Sequence, residues 1–600
     1  MIDKMTKYSF ILLSSGKEEF LKELQSLGLV DISRSAKAID EKSAAAFESI
    51  SSRLRAAARL KAVDFRVDGA LPAVADPVAE GEAALSRLTE LAAEKAALSK
   101  ELAAVQAWGE FDKDKIDALR EAGYEFHFHK VPAKKFDPSW SEEYPIQIIS
   151  EGKEVFFVSV IQAGGEYSLT LPELKTPSRS AATVQAEIEA LEVLENEQKA
   201  IVLACKARVP EIEEAIAGDE TSLDRYLASA AASSAAEEHL SVITGFAPTE
   251  NDAALAKAFD GMDVLWFKEA AKASDDPPIK LRNSRFVKMF EVLTDMYGRP
   301  GYDGFDPTVF ISIFFLLFFA FCMGDAGYGL LLVLVGLLLR KSEGMKNLAP
   351  LVIILGLGTA VIGFFFHTFF SLDISQWPIF EPIKGIFLPS TIMGYDGTMV
   401  LALIVGIIHL SLAMIIKAVN CTRTAGLGRS LGAWGWALII IGGVVFGVLA
   451  YMGIPALEKP VNIIVYALAG VALLGIFPFN GATKNPLTNI ALGLWDTYGM
   501  ATGLLGDVLS YLRLYALGLA GAMLGKAFNE IGLMVLGDGK NPGMWFFFII
   551  IIIIGHTLNF AMAALGAFVH PLRLNFLEFF KNSGYEATGR EYKPLKINKS

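Results

Sequence analysis

One arginine lies where a charged side chain is costly. Arg513 is flanked by apolar residues in a stretch that runs from about residue 497 to 536, and it lies six residues beyond Asp507. Placing arginine at the centre of a membrane costs about 2.5–3.5 kcal/mol on insertion scales, and the guanidinium does not escape that cost by losing its proton. Snorkelling of the side chain to the interface fits so central a position poorly. The residue therefore indicates charge chemistry within the membrane.

A second set of candidate residues lies within the last apolar stretch, 544–577. Alternating steps of three and four residues place its members on one helix face: His556, Asn559, Ala563, Gly566, His570 and Arg573. The small residues among them allow close packing of helices. His570 and Arg573 lie near the helix end, so contact with the membrane interface is the alternative for these two.

Anionic partners for the two arginines are few within this chain: Asp325, Asp507 and Glu530. The arginines could instead face a carboxylate on another subunit. A guanidinium favours the charged form of a carboxylate that passes it, and its fixed charge blocks a direct proton leak between two aqueous access paths. A rotary ion motor requires this arrangement.

The composition divides the chain into two unlike halves, which must position these residues. The 600 residues are 53% hydrophobic and 20% charged, with a mean hydropathy of +0.41 and a formal net charge of -12. A turn-rich boundary near residue 300 separates a part rich in Ala, Glu, Lys and Ser from long apolar runs. We therefore expect a soluble domain over 1–300 and a membrane domain over 301–600. The apolar fraction excludes intrinsic disorder, and the net acidity disfavours nucleic acid as a partner.

Several kinds of site are not indicated by the sequence. Three cysteines are too few and too scattered for a disulfide framework or a zinc site. His127 and His129 share a strand face, but two histidines are not a metal site without further ligands. Lys17 is followed by Glu18, where a P-loop needs Ser or Thr. We expect no metal and no cofactor.

The second half contains eight candidate membrane spans. They lie at about 308–322, 327–340, 348–370, 399–419, 430–453, 461–479, 497–536 and 544–577. A span needs about 20 apolar residues; the first two are shorter and, taken together as one long helix, would make seven spans, an alternative that the charges of the loops decide against. The N-terminus carries no export signal, which places it in the cytoplasm. The inner loops then hold seven basic residues and the outer loops three, in the direction of the positive-inside rule. We predict an α-helical membrane protein with eight transmembrane helices, a cytoplasmic N-terminal half and a cytoplasmic C-terminal tail.

The first half shows an α+β pattern. Residues 6–34 predict a strand, a helix and a second strand, and two helical runs with heptad-like spacing follow at 84–105 and 184–202, with Lys95 interrupting the first. Between these runs, alternating residues predict strands and a hairpin turn at 151–153. We expect an antiparallel coiled coil with a globular tip. An ordinary helical bundle is the alternative.

Motifs in chain order carry a resemblance to a known family. They are Pro277-Pro278 with Asn283, Tyr297…Pro300…Tyr302…Asp306-Pro307, Met323-Gly324-Asp325-x-Gly327-x-Gly329, Ser510-Tyr511-Leu512-Arg513-Leu514…Ala516-Leu517-x-Leu519-Ala520, and His570-x-Leu572-Arg573-Leu574…Glu578. Together they resemble subunit a, also called subunit I, of the V/A-type rotary ATPases. The resemblance covers nearly the whole chain.

The resemblance implies a cytoplasmic stator arm and a membrane domain of eight helices, whose last two helices face a rotor ring. The implied partners are the c/K-type proteolipids of that ring, peripheral stalk subunits of the E/G type bound by the arm, a rotor cap subunit of the C/d type, the V1/A1 sector and membrane lipid. The subunit would translocate H⁺ or Na⁺ in the cell membrane, and it would not hydrolyse ATP itself.

The resemblance also assigns residues. Arg513 resembles the essential stator arginine, and Arg573 with His570 resembles its neighbours on the last helix. We assign ion translocation to these three and to five further polar residues: Asn559, His556, Asp507, Ser510 and Glu530. A structural motif is assigned to the turn residues Gly324, Asp325, Gly327 and Gly329. The chain departs from the eukaryotic pattern at Tyr328, Gly521 and Ala563, and at His367 and Ser371.

Two other classes of protein remain as alternatives. A secondary transporter with a large cytoplasmic domain would carry internal repeats with broken helices at matching positions, and the sequence shows no such repeat. A membrane-anchored scaffold or receptor, acting through its coiled coil, would leave Arg513 without a role.

Overall fold

The computed structural model describes most of the chain. The residues outside the description are 36, 68, 110–112, 166, 168, 170, 175–178, 236–238, 343, 393, 453–465, 468–469, 471–472, 474–476, 478–485, 538–540 and 599–600. The chain forms two compact units, which we call the first and the second unit. The first unit comprises Met1–Ile11 with Thr244–Pro594, and the second comprises Leu12–Ile243 with Leu595–Ser600. The domain boundary near residue 300 stays a prediction.

The strands, in chain order, are β1 (Met5–Leu13), β2 (Asp31–Ile32), β3 (Tyr124–Pro132), β4 (Ile146–Glu151), β5 (Glu154–Gln162), β6 (Glu173–Leu174), β7 (Ser233–Ala235), β8 (Leu240–Pro248), β9 (Leu265–Ala270), β10 (Thr368–Phe369), β11 (Leu372–Asp373), β12 (Thr391–Ile392) and β13 (Tyr395–Asp396).

The helices are α1 (Lys17–Leu27), α2 (Glu41–Ala62), α3 (Ala79–Val105), α4 (Lys113–Glu121), α5 (Trp140–Glu143), α6 (Ala181–Ala207), α7 (Val209–Ala230), α8 (Asp252–Phe259), α9 (Arg285–Lys288), α10 (Glu291–Tyr297), α11 (Thr308–Met323), α12 (Ala326–Leu339), α13 (Ala349–Phe365), α14 (Gly397–Ala425), α15 (Leu427–Met452), α16 (Pro486–Ser510), α17 (Leu512–Leu536), α18 (Pro542–Arg573) and α19 (Phe580–Ser583). A π-helix, Leu574–Phe579, joins α18 to α19.

The second unit is built on long helices. One end of α3 and α6 packs with α2 and α7 around a shared apolar core. Beyond that core α3 and α6 continue as an antiparallel pair, in which Lys95 lies 3.0 Å from Glu192, and Arg179, just before α6, lies 2.7 Å from Glu101. The predicted antiparallel pair of helices is therefore present. The alternative prediction, a helical bundle, describes the end at which α3 and α6 pack with α2 and α7. Lys95, which breaks the apolar seam, is accommodated because it meets two carboxylates, those of Glu192 and Glu195.

A four-stranded antiparallel sheet in the order β4-β5-β3-β6 follows the first of these two helices, and it contains the predicted hairpin between β4 and β5. Phe128 of β3 lies opposite Val158 of β5, and both pack with Trp108. His129 is buried against Tyr167. Among the described residues, no group of three or more His, Cys, Asp and Glu could hold a metal ion.

The first unit combines a small β structure with the apolar helices. Strand β1 pairs antiparallel with β9, with Thr6 opposite Ala270. The chain returns to this part after the last helix, because Glu591 bridges to Ile279 and Gly589 bridges to Arg299. The tail up to Pro594 is thus a structural part of the first unit.

The apolar helices account for the hydropathy of the second half of the chain. In the described part, three stretches are long and apolar enough to cross a membrane: Gly397–Thr424, Gly493–Leu536 and Pro542–Ser583. Four shorter apolar helices accompany them: Thr308–Met323, Ala326–Leu339, Ala349–Phe365 and Ser430–Gly443. The predicted sixth span, 461–479, lies mostly outside the described residues. The predicted count of eight spans is therefore not confirmed.

Two of the predicted spans differ in detail from the structure. The seventh, predicted as one helix, is divided at Tyr511 into α16 and α17. The eighth ends as an α-helix at Arg573 and continues as the π-helix. Both irregularities lie at or beside the predicted functional arginines, where a break exposes backbone groups and redirects side chains.

Candidate functional site

Arg513 is the second residue of α17, directly after the break at Tyr511. Its side chain is half-buried, and its Nη1 atom is buried without a hydrogen-bond partner among the described residues. Within the described part of the chain, no ion pair joins it to a carboxylate. A buried cation is normally paired. The site therefore presents an unsatisfied positive charge.

The three carboxylates that the sequence offers as partners are engaged elsewhere. The carboxylate of Asp507 accepts a hydrogen bond from Asn582 at 2.7 Å and lies 3.5 Å from Lys581. Glu530 is exposed and lies 3.9 Å from Lys526. Asp325 is buried and binds backbone N–H groups. None of these three carboxylates forms an ion pair with Arg513 in the part of the chain that the structure describes.

His570 and Arg573 lie near Arg513. Both guanidinium groups act electrostatically on the imidazole of His570. The Nδ1 atom of His570 is buried without a described partner, whereas Arg573 is exposed at the end of α18. The structure therefore gathers two cations and an imidazole where α17 begins and α18 ends.

His556 and Asn559 lie in a different place. Arg573 is 14 residues beyond Asn559, which corresponds to about 21 Å along a helix. Both residues belong to a buried network around Tyr328, whose Oη lies 2.7 Å from His556 Nδ1 and accepts a hydrogen bond from Asn559 at 2.9 Å. The predicted polar stripe of α18 thus has two parts with different surroundings.

This network joins three helices. His556 Nε2 lies 2.9 Å from the Oδ1 atom of Asn529 in α17, and Asn559 also donates to the backbone oxygen of Gly521 at 2.8 Å. Tyr328 connects the group to α12. Asn529 is not among the residues to which the sequence assigns a role. A polar residue within an apolar span was the signal that could have identified it.

The turn at residues 324–329 lies on another side of this network. Asp325 caps α12 by accepting from the N–H groups of Gly327 and Tyr328, and it also accepts from Phe370 at 2.9 Å and Ser371 at 2.6 Å. One buried carboxylate therefore fixes both the helix start and the loop after α13.

The glycines of this turn allow the loop after α13, and α13 itself, to approach the turn closely. Gly324 has a φ of 53°, in the left-handed region that glycine favours. A Cβ on Gly327 would lie 2.5 Å from the ring of Phe370, and one on Gly329 would lie 2.3 Å from the backbone nitrogen of Ala360. Side chains at these positions would displace the loop or α13.

A residue that received no role from the sequence lies within electrostatic range of Arg573. Glu578 is buried within the π-helix, and its Oε2 atom has no hydrogen-bond partner among the described residues. Ser510 lies near this carboxylate, and its hydroxyl donates to the backbone oxygen of Gly506 at 3.0 Å. The signal in the sequence was its place at the end of the motif His570-x-Leu572-Arg573-Leu574…Glu578.

Fold and site together define the class: a membrane protein with buried ionisable groups between its last helices. The chain matches the model of the V-type ATPase 116kDa subunit family over residues 179–349 and 501–597. It is 29% identical over 467 residues to the A-type ATP synthase subunit I of Methanocaldococcus jannaschii, covering 71% of this chain and 64% of that protein. It is 33% identical over 334 residues to that of Pyrococcus abyssi, covering 54% and 48%.

A bacterial relative matches a larger share of the chain than these two archaeal relatives do. The V-type ATP synthase subunit I of Borreliella burgdorferi is 26% identical over 647 residues, with 99% of each chain covered. The chain spans about half to two thirds of the length of the archaeal relatives named above. A solved cytoplasmic N-terminal domain of subunit I, the homolog of subunit a of V-ATPase, matches with a TM-score of 0.17 and 14% identity, covering 44% of this chain and 100% of that one.

These sequence matches confirm the resemblance drawn from the motifs. The chain is a relative of the subunit I proteins of A-type and V-type ATP synthases. Such a subunit belongs to the membrane part of a rotary ATPase complex, in keeping with the apolar helices described above.

Proposed function

We propose that this protein is the membrane stator subunit of a V/A-type rotary ATPase. It would provide two half-channels and a fixed arginine past which the carboxylates of a c/K-type ring carry H⁺ or Na⁺. It would not catalyse ATP hydrolysis itself. The observation that carries the proposal is the half-buried guanidinium of Arg513, which lacks an ion pair within the described part of the chain.

The remaining features of the proposal concern architecture. The membrane domain, 301–600, would hold eight transmembrane helices, with the N-terminal half and the C-terminal tail in the cytoplasm. The arm formed by α3 and α6 would anchor peripheral stalks of the E/G type. The C/d-type rotor cap and the V1/A1 sector complete the proposed partners.

In this proposal Arg513 acts on the charge of its partner. When a ring carboxylate reaches the guanidinium, the cation favours the ionised carboxylate, so the carboxylate releases its ion on one side and takes up another after it has passed. His570 and Arg573 lie near Arg513 and would influence the entry of water and ions. The exposed faces of α17 and α18, with Leu519, Met523 and Met562, would lie against the ring.

The test is substitution of Arg513 in the reconstituted complex. We expect Arg513→Ala and also Arg513→Lys to abolish ATP-driven ion uptake, because the second retains the charge but not the planar guanidinium. Assembly should be unchanged. Arg340→Ala, which removes an exposed cation after α12, is the matched control and should transport normally. Normal uptake in Arg513→Lys would contradict the proposal.

Cross-linking separates the proposal from a secondary transporter. Cysteines at Leu519 and Met523, on the exposed face of α17, should cross-link to a small hydrophobic ring subunit carrying partner cysteines. Cysteines at Leu334 and Leu338, which are exposed on α12, serve as controls and should not. Failure at all positions on α17 would favour a transporter that works without a ring.

A further inference from the structure

A cavity of about 270 Å³ opens in the first unit where three apolar helices begin or end. Helix α11 ends at Met323, α13 ends at Phe365 and α14 begins at Gly397, and residues beside each of these points line the cavity. The first half of α17 supplies further lining residues between Leu514 and Ala522. Apolar helices begin and end near the surface of the bilayer, so the cavity leads from that surface into the apolar layer.

The buried part of the lining is apolar. Phe321, Phe366 and Leu514 line the cavity, and all three are buried. Pockets that enclose a whole drug-sized ligand measure about 300–1,000 Å³, so this cavity has room for only a part of a larger molecule. A hydrocarbon chain that enters from the surrounding membrane matches an apolar space of this size.

The accessible part of the lining carries oxygen atoms. Ser390 and Asp396 are exposed, and Thr368 and Thr398 are partly exposed. The two threonine hydroxyls use their protons within the protein, since Thr368 donates to the backbone oxygen of Gly324 and Thr398 donates to the carboxylate of Asp396. A hydroxyl that donates in this way still has lone pairs with which to accept. This end of the cavity therefore offers hydrogen-bond acceptors to a ligand.

The charges at the same end favour a cation. The carboxylate of Asp396 lines the cavity, and Nδ1 of His367, which also lines it, lies 3.1 Å from the carboxylate of Asp373. Among the described residues that line the cavity, none is a lysine or an arginine. Two carboxylates and one imidazole provide a partner for an ammonium group, whereas an anionic headgroup would find no permanent cation here.

We propose that this cavity binds a phospholipid with an ethanolamine headgroup. Part of one acyl chain would lie against Phe321, Phe366 and Leu514, and the primary ammonium would donate to the carboxylate of Asp396. Such a group has three N–H donors, as the ammonium of lysine has, and it forms charge-assisted hydrogen bonds with a carboxylate. A choline headgroup has no N–H donor, and a glycerol headgroup leaves the phosphate charge unbalanced.

The bound lipid would pack against α17 next to the proposed ion path. Leu514 directly follows Arg513, and Leu519, which also lines the cavity, belongs to the exposed face of α17 that is proposed to meet the ring. The lipid would therefore fill the space between α17 and the ends of α11 and α13. This inference goes beyond the proposed function, because the site requires neither the ring nor the charge of Arg513.

The test is photo-cross-linking of the purified full chain in detergent to an ethanolamine phospholipid that carries a diazirine on one acyl chain. We expect mass spectrometry of the digested protein to find the label at Phe366 and within 514–522. Unlabelled ethanolamine phospholipid should compete with the label. Choline and glycerol phospholipids with the same chains should compete about tenfold less well, because they lack the charge-assisted hydrogen bonds of the ammonium group.

Two variants test the two ends of the site. Asp396→Asn removes the negative charge, and because asparagine caps a helix about as well as aspartate does, α14 should begin as before. Labelling should fall about tenfold, as expected for the loss of one charge-assisted hydrogen bond. Ala522→Phe would fill the apolar part of the cavity and should also prevent labelling. The control is Glu381→Gln, which removes an exposed carboxylate that is not among the described lining residues and should label as the wild type does.

Each outcome decides the proposal. Equal competition by the choline or the glycerol phospholipid would overturn the choice of headgroup. Label spread over exposed apolar residues outside the cavity, without competition, would show bulk lipid only and would overturn the site. If Asp396→Asn does not yield folded protein, Ala522→Phe carries the test: lost labelling supports the site and wild-type labelling overturns it. Ion uptake by Arg513→Lys bears on the proposed function and leaves this site unaffected.

Discussion

At Arg513 a guanidinium nitrogen is buried without an acceptor in the described part of the chain, whereas Arg299, which is also largely enclosed, reaches the carboxylates of Asp295 and Glu591. The two arginines differ in the charged groups that surround them. Arg299 closes a contact between the tail and the rest of the first unit, and its neighbours supply the charge. Arg513 would meet its charge only in another subunit.

The isolation of Arg513 could be predicted because apolar residues flank it in the sequence. The engagement of Asp507 could not, since its hydrogen bond to Asn582 joins residues 75 apart in the chain. The same holds for the network of Tyr328, His556 and Asn559, which spans more than two hundred residues. Helical spacing places side chains on one face, but it does not show what packs against that face.

Histidine 129 provides a titratable residue outside the membrane helices. Its Nε2 lies 2.5 Å from the hydroxyl of Tyr167, and its Nδ1 lies 3.2 Å from the backbone oxygen of Pro172. Burial lowers the pKa of His129 below its ordinary value of about 6.5, although Pro172 and the charge of Glu173 oppose this shift. The folded sheet therefore binds the proton less well than the unfolded chain does.

We predict that the sheet of β3 to β6 loses stability as the pH falls below about 6.5, because the unfolded state then binds more protons. Amide hydrogen exchange of β3, corrected for intrinsic rates, should be faster at pH 5.5 than at pH 7.5. His129→Gln should remove most of this difference. His239→Asn, at an exposed histidine, is the control. An equal pH dependence in His129→Gln would show that another group is responsible.

At the scale of elements, glycines set the contact between α12 and α13. Ideal Cβ atoms at Gly329 and Gly356 would lie 2.3 Å from the nitrogen of Ala360 and 2.7 Å from the nitrogen of Val333. Both obstacles are backbone atoms, which do not move aside as a flexible side chain does. The close approach of two helices through small residues is the packing expected in membranes.

Gly329→Ala should destabilise the protein by about 1–3 kcal/mol, the range of overpacking in a filled core. Gly442→Ala in α15 is the matched substitution, since its Cβ would meet no described atom within 4 Å. It should be neutral or slightly stabilising, because alanine is the better helix former. The midpoint of thermal unfolding of the detergent-solubilised chain measures both, and equal midpoints would refute this account of the contact.

The break between α16 and α17 shows why element boundaries in this region escape prediction. Tyr511, at the break, is fully buried, and a Cβ on Gly406 would lie 2.4 Å from its ring. Its hydroxyl bonds to His409. The residues around the break have no proline, and the hydropathy pattern continues through it, so the cause is packing against α14 rather than a local sequence signal.

At the scale of the whole molecule, the contrast in composition predicts a soluble part and an apolar part. The apolar helices are present in the second half of the chain, and the soluble part stays a prediction. The order of the first strand, helix and second strand, the paired helices and the hairpin also follow from spacing. The position of the C-terminal tail does not follow from the spacing of residues. Leu595 is fully buried in the second unit, where its N–H donates to Val30, and no periodicity in so short a segment indicates such a contact.

The paired helices permit a defined truncation of the arm. Arg179 meets Glu101, and Lys95 meets Glu192, so residues 98 and 189 are near neighbours across the pair. Replacing 99–188 by a short Gly-Ser loop would remove the sheet and the distal pair. It would retain the core shared with α2 and α7, including Ala84, Val202 and Cys205.

We predict that a complex with this truncation hydrolyses ATP while ion uptake falls to the background level, because a stator without its arm would turn with the rotor instead of resisting it. ATP hydrolysis and vesicle uptake measured on the same preparation give the coupling ratio. Lys95→Ala removes the two ion pairs of this lysine but leaves the arm at full length, so it should keep the ratio near wild type. Full coupling in the truncated complex would show that the torque is resisted elsewhere, and the arm would then lose its proposed role while the role of Arg513 would be unaffected.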